Sequence, residues 1–327
     1  MSGYARVGIL LATLAGLAAA IWAFGSAGFA NVLAATARVG PGGFVAFCVY
    51  SLAGFVPLGA AWLVAAPGEP ASRVWLFSWA RVLREAVSDL LPFSQIGGIV
   101  IGTRSLLHAG IAPTRVYASL VVDMTTEMAA QLVFTLFGLS LMASILMGSS
   151  AAALRPMIFG GTAAMIAVMI LFFVAQRPAL MLAERIAGHF LPGSAATMAG
   201  LLDTLRATYA TRSRVIAAFA FNLVGWVASA FGAWLVLHLM GADVSVWSAL
   251  SLESLIFTLR SVAFFIPAAI GVQEATYALA APLFGLPAEM ALALSLVKRA
   301  RELAIGLPTL VIWQAREAKA VVAARLR

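Results

Sequence analysis

Arg81-Val-Leu-Arg-Glu-Ala-Val-Ser-Asp-Leu-Leu-Pro92 stands between long apolar runs and carries five polar or charged positions. Arg81, Arg84, Glu85, Ser88 and Asp89 recur at three- and four-residue spacing, the polar stripe of an amphipathic helix. Such a helix cannot face lipid all round. It ends at Leu91-Pro92, because proline removes a backbone donor and clashes with the preceding turn, and Gly97-Gly98 follows. A second arm, about 98 to 109, stops at Gly110 and Pro113. Twelve residues at about 1.5 Å each reach about 18 Å, roughly half of the hydrocarbon core. The stretch from about 72 to 110 therefore reads as a re-entrant helical hairpin.

The flanking sequence supplies the membrane. Of the 327 residues, 63% are hydrophobic and 10% charged, where a soluble domain carries about half and about a quarter. The mean hydropathy of +1.00 rules out a water-soluble globule. Six apolar runs are long enough to span, at about 7 to 24, 43 to 66, 114 to 146, 157 to 175, 213 to 239 and 288 to 315. Arg6 before the first run resembles a signal peptide, but the nearest cleavage-like triplet, Ala35-Thr36-Ala37, lies far downstream, so an uncleaved first helix is expected. The expected fold is an all-α integral membrane protein, one domain over residues 1–327, with about six spanning helices and two re-entrant hairpins.

The second hairpin, about 246 to 285, copies the first. Pro92, Gly110 and Glu127 recur as Pro267, Gly285 and Glu302, all at an offset of 175. Ala118-Ser-Leu-Val-Val-Asp-Met-Thr-Thr-Glu127 aligns with Ala293-Leu-Ser-Leu-Val-Lys-Arg-Ala-Arg-Glu302. Pseudo-repeats of about 1 to 147 and 156 to 315 follow, with Pro92, Gly97, Gly98, Pro267 and Gly271 as the hairpin breaks. Between the fourth and fifth runs, Arg177, Arg185, Arg206, Arg212 and Arg214 outnumber Glu184 and Asp203, which places that connection in the cytoplasm. Counting outward puts both termini inside, with 316 to 327 as a basic tail and the 240 to 247 loop outside. Three spans then separate each hairpin from its copy, and an odd number inverts it, giving antiparallel repeats. The connection from about 177 to 212 has no evident counterpart in the first half and reads as a cytoplasmic amphipathic insertion.

Ionisable residues inside a bilayer are costly and are functional candidates with a partner to be named. Asp123 and Glu127 lie four apart and share a helix face; their repeat mates are Lys298 and Glu302, with Arg299 and Arg301 alongside. The expected pairing sets the two acids against the bases of the last span, either as a clamp between halves or as a transport element. Arg104, Glu253, Arg260 and Glu274 complete the set. Gly271-Val272-Gln273-Glu274 opens a helix whose N-terminus attracts an anion, and Glu274 as a cap or as a proton carrier both fit. Gly98-x-x-x-Gly102 has the spacing of close helix packing.

Several chemistries find no support. The formal charge of +8 is distributed in short runs between apolar stretches, as topology requires, and gives no reason to expect nucleic acid. Cys48 is the single cysteine, and His108, His189 and His238 are far apart, so no metal site is expected. A nucleotide-binding glycine loop, an H-E-x-x-H pair and a G-x-S-x-G elbow are all missing from the sequence. No catalytic residue and no cofactor are assigned.

Phe265-Ile-Pro-Ala-Ala-Ile-Gly-Val-Gln-Glu274, the later Gly285 and the basic-acidic helix from Lys298 to Glu302 resemble the flippase-like domain that forms the membrane half of lysylphosphatidylglycerol synthases and also occurs alone. The resemblance covers nearly the whole chain. Phe257-Thr-Leu-Arg-Ser-Val-Ala and Ala291-Leu-Ala-Leu-Ser-Leu-Val-Lys-Arg-Ala-Arg-Glu-Leu are most similar to the branch associated with hopanoid biosynthesis. Ala268-Ala269 departs from the Pro-Gly or Gly-Gly turn the family leads one to expect. The resemblance implies the handling of a membrane lipid, a hopanoid or another isoprenoid lipid among the candidates, in a bacterial cytoplasmic membrane, with hopanoid-pathway enzymes as possible partners.

Two readings from different classes remain at this level. One is a non-ATP lipid transporter, flippase or scramblase, using Arg104, Asp123, Glu127, Arg260, Glu274, Lys298, Arg301 and Glu302. The other is an intramembrane enzyme acting on prenyl lipids, with Asp123 and Glu127 on Mg²⁺; the charge reversal from Asp123 to Lys298 favours the transporter. A scaffold for hopanoid enzymes is the third.

Overall fold

A computed structural model of the chain describes residues 17–90, 95–145, 194–262 and 269–325, with isolated positions at 14, 160–174 and 266. Every element among them is helical. In chain order these are α1 (Leu17–Ala27), α2 (Phe29–Ala37), α3 (Gly40–Val64), α4 (Val74–Leu90), α5 (Gln95–His108), α6 (Pro113–Ile145), α7 (Ser194–Ala210), α8 (Arg212–Leu239), α9 (Val246–Val262), α10 (Val272–Ala280) and α11 (Ala288–Arg325).

The protein is an all-α membrane protein. Three of the described helices, Gly40–Val64, Pro113–Met142 and Arg212–Leu239, are long and apolar enough to cross a bilayer. Their outward faces carry Val45, Val49, Leu52, Val133, Phe137, Ile216, Val224 and Val227, exposed where lipid replaces water. Two expected spans differ from the sequence reading. The first is a bent pair, Leu17–Ala27 and Phe29–Ala37, meeting at 81°. The break falls at Gly28, whose φ of 80° takes the backbone out of the helix. The last, 288 to 315, is helical and continues through the expected tail to Arg325, but Lys298, Arg299, Arg301 and Glu302 disqualify it as a plain apolar span. The expected span at 157 to 175 lies almost wholly outside the described residues, as do Pro92 and Pro267.

Both expected hairpins are pairs of packed helices. α4 packs on α5, and α9 on α10. In the first, Gly98 and Gly102 face α4 so closely that a Cβ on Gly98 would strike the Arg84 carbonyl, and one on Gly102 would lie 3.0 Å from the Ala80 carbonyl. Gly97 and Gly98 thus belong to the first turn of the second arm, not to the break itself. Each second arm ends on a glycine in left-handed backbone, Gly110 at φ 81° and Gly285 at φ 73°, and the next long helix begins three residues later. At the second hairpin, two residues before Gly271 at φ 82°, Ala269 also takes left-handed backbone, at φ 48°.

The two halves exchange partners in a regular way. α3 and α8 end 175 residues apart, at Val64 and Leu239, and pack on each other. α6 packs on α8 and α9, while α11 packs on α3 and α4. α7 covers α6 through Leu201 and Leu205, and α2 covers α11 through Val32 and Ala35.

Candidate functional site

Among the described residues, three groups of ionisable side chains lie within the bundle. The first holds α4 to α6. Arg81 donates from Nη1 to Asp123 Oδ2 at 3.1 Å and to Glu127 Oε2 at 2.9 Å, and from Nη2 to Glu127 Oε1 at 2.6 Å. Arg84 adds Nη2 to Glu127 Oε2 at 3.0 Å and a longer contact with Asp123 at 3.5 Å. Asn222 of α8 donates to Asp123 Oδ1 at 3.4 Å and to Thr126 Oγ1 at 3.1 Å. The expectation that Asp123 and Glu127 pair with Lys298, Arg299 or Arg301 is thus incorrect. Arg81 and Arg84, one turn apart on the polar stripe of α4, reach across to α6 first and neutralise both acids within their own half of the chain.

The second group is closed as well. Lys298 Nζ donates to Glu253 Oε2 at 2.7 Å and to Tyr277 OH at 3.1 Å, while the Tyr277 hydroxyl donates to Glu253. The ammonium also lies 5.4 Å from the Phe257 ring centroid, a cation–π distance. Lys298, Glu253 and Tyr277 are all buried, and each charge has its partner.

The third group is looser and lines a cleft. Phe55 of α3, Val82, Glu85, Ala86 and Asp89 of α4, and Arg301, Glu302, Ile305 and Gly306 of α11 line a narrow, half-open cleft with a cavity volume of about 10 Å³, room for about one water. Arg260 of α9 stands beside it, hydrogen-bonded to Gln273 Oε1 at 2.9 Å, with its guanidinium 3.7 Å from Asp89 and 3.9 Å from Glu302. Arg299 bridges Glu302 at 3.2 Å and Glu274 at 3.5 Å. Arg301 meets Glu302 only at 3.9 Å and lies over the Phe47 ring; its Nε is buried with no hydrogen-bond partner. The side chains of Arg260, Arg299 and Arg301 each retain about a fifth of their exposure. α4 comes from the first half and α9, α10 and α11 from the second, so the cleft belongs to both.

Glu274 acts as a cap. Its Oε2 accepts the Gly271 N–H at 2.8 Å, and its Oε1 accepts the Ser295 hydroxyl at 3.0 Å. Arg104 lies elsewhere. It follows Gly102 by two residues, which turns it to the opposite face of α5, where it pairs with Glu317 at 2.6 Å and is half exposed. His108, one turn on, meets the same carboxylate at 2.9 Å. Of the sequence candidates, the structure therefore brings together Arg260, Glu274, Arg301 and Glu302, sets Asp123 with Glu127 and Lys298 with Glu253 in closed groups, and moves Arg104 to the periphery.

The members overlooked in the sequence are Glu85 and Asp89, read there only as parts of an amphipathic stripe, and Gln273. The available signal was the stripe itself, since a polar face on a helix flanked by spans must meet other polar groups. Gln273 carried a weaker one, as an amide next to Glu274 that also donates to Ser295 Oγ at 2.7 Å.

The sequence profile of the lysylphosphatidylglycerol synthase TM region matches residues 7–308. No curated protein and no solved structure matches the chain. With nearly its whole length covered, the chain belongs to that family of lipid-related membrane proteins.

Proposed function

We propose that this member of the lysylphosphatidylglycerol synthase TM-region family is a lipid transporter that works without ATP, a flippase or scramblase of the bacterial cytoplasmic membrane with both termini in the cytoplasm. The observation that carries this reading is the cleft between α4 and α11, where charged groups remain partly open and loosely paired in the middle of an apolar bundle. A head group crossing a bilayer needs polar contacts that replace water, and these supply both signs of charge. The exchange of packing partners between halves and the shared 175-residue offset support inverted repeats, with the cleft near the midplane where such repeats place their sites. A hopanoid or another isoprenoid lipid is the cargo suggested by the wording around Arg260 and Lys298.

The prenyl-lipid enzyme reading fits less well. It requires Asp123 and Glu127 to take a metal, and both carboxylates are already engaged by Arg81 and Arg84. A metal-bound diphosphate needs several free carboxylates.

The test is transbilayer movement of labelled lipids in proteoliposomes, with phosphatidylglycerol and a polyprenyl lipid as separate probes. Arg260→Ala and Glu302→Gln are expected to abolish movement while inserting at normal abundance. Glu317→Ala, outside the cleft, is expected to retain it. Full activity in both cleft variants would assign these residues to structure alone, and no movement of either probe by the parent protein would remove the reading.

A further inference from the structure

The charge balance of the cleft is uneven. Among the described residues, Arg81 and Arg84 match Asp123 and Glu127, and Lys298 matches Glu253. Around the cleft, four carboxylates (Glu85, Asp89, Glu274 and Glu302) face three guanidiniums (Arg260, Arg299 and Arg301). Among the described residues, one of these carboxylates has no counter-charge. Burying an unpaired ionised carboxylate is expensive, and the simplest relief is a proton.

The geometry says where that proton sits. Glu302 has three guanidiniums within 3.9 Å. Glu274 has the Gly271 N–H, the Ser295 hydroxyl and Arg299. Asp89 has only Arg260 at 3.7 Å and, among the described residues, accepts no hydrogen bond. Glu85, one turn before it on α4 and lining the same cleft, has no ion pair among the described residues. Arg260 is held by the neutral Gln273 almost midway between Asp89 and Glu302, so a small shift commits it to either acid.

We propose that Asp89, with Glu85 beside it, carries an exchangeable proton coupled to lipid movement, and that Arg260 is the counter-charge passed between Asp89 and Glu302. This rests on the transporter reading and adds its energy source. A proton taken from one aqueous phase binds the Asp89 carboxylate and frees Arg260 to turn to Glu302; its release to the other phase draws Arg260 back. Nothing else is consumed. The groups that face Asp89 are Glu85 on its own helix, Arg260 on α9, and Arg301 and Glu302 on α11, while α10 acts through Gln273 on Arg260 and through Glu274 on Arg299. Because Asp89 and Glu85 lie in the first half and Arg260 and Glu302 in the second, protonation of Asp89 acts on the contact between the halves.

Two measurements on the full-length protein test this. The first is an infrared pH titration of the purified protein, in which the carbonyl stretch of a protonated carboxyl should appear as pH falls and be missing in Asp89→Asn. The second is the steady-state leaflet distribution of labelled phosphatidylglycerol in proteoliposomes. One pH unit across the membrane is worth about tenfold per coupled proton, so the label should reach an asymmetry approaching tenfold. In Asp89→Asn, adding the gradient should change nothing. An unaltered infrared spectrum in both Asp89→Asn and Glu85→Gln would overturn the proposal whatever the lipid does. Movement to an even distribution despite the gradient would overturn the coupling and leave the transporter reading intact. A titrating Asp89 with no movement of phosphatidylglycerol or of a labelled polyprenyl lipid would overturn the coupling together with that reading.

Discussion

Replacing Arg81 with methionine keeps most of the volume and removes one guanidinium from a site where nothing can take its place. Arg81 is 2% exposed and makes three hydrogen bonds to two carboxylates, one of them, Asp123, fully buried. In Arg81→Met, Asp123 and Glu127 share Arg84 alone, at 3.5 and 3.0 Å. One buried carboxylate is then uncompensated, which costs about 3–5 kcal/mol. Adding Glu127→Gln removes the surplus charge and should recover at least about 1 kcal/mol, the coupling expected of contacting residues. A cycle between Glu127 and Arg301, the pairing that sequence alone favours, should give coupling within about 0.5 kcal/mol of zero. The assay is unfolding of the purified protein by titration with sodium dodecyl sulfate in mixed micelles. A cost below about 1 kcal/mol for Arg81→Met, or no rescue by Glu127→Gln, would refute the account of this group as a clamp inside the first half.

Gly98→Val should separate the arms of the first hairpin, because its side chain would meet the Arg84 carbonyl and Ser88; overpacking of this kind costs about 1–3 kcal/mol, read as a lower unfolding midpoint. Ala269→Gly should do the opposite, since left-handed backbone at φ 48° strains alanine by about 1–2 kcal/mol and part of that is returned as unfolded-state entropy; a midpoint rise of about 0.5–1 kcal/mol is expected. Glu317→Ala removes the common partner of Arg104 and His108; these side chains are half exposed, so the cost is at most about 1 kcal/mol, with faster amide exchange in the last turns of α11 as the measure.

What the sequence disclosed and what it concealed follow from the reach of its signals. Proline, glycine and an interrupted apolar run act over a few residues, so the arms of both hairpins and the endpoints at Gly110 and Gly285 were legible. The 175-residue offset was legible because Pro, Gly and Glu are poorly supplied by an alanine- and leucine-rich background. Spacing also showed that Asp123 and Glu127 share a face, but a face does not name its neighbour. That requires the packing of α4, and α4 presents two different edges, with Arg81 and Arg84 toward α6 and Glu85 and Asp89 toward α11. A single stripe in sequence thus divides between two sites. The bend at Gly28 was missed because one glycine in an apolar run is an ordinary tolerance.

The contrast between the charged groups is what separates structure from function here. Asp123 and Glu127 hold Arg81 through short, partly bidentate contacts, and Lys298 is hydrogen-bonded to both Glu253 and Tyr277. Groups satisfied in this way have little to gain from a head group and lose their mutual bonds if they turn to one. Around the cleft the pairings of Arg260 at 3.7 and 3.9 Å and of Arg301 at 3.9 Å are beyond hydrogen-bond length. These side chains have been taken out of water without full compensation, so a polar ligand that enters the cleft improves their situation. Fixed clamps at Arg81 and Lys298 also tie α4 to α6 and α9 to α11. Asp123 and Lys298 stand 175 residues apart and carry opposite charges, each answered locally, while Glu85 and Arg260, also 175 residues apart, bring opposite charges to the same cleft from the two halves of the chain.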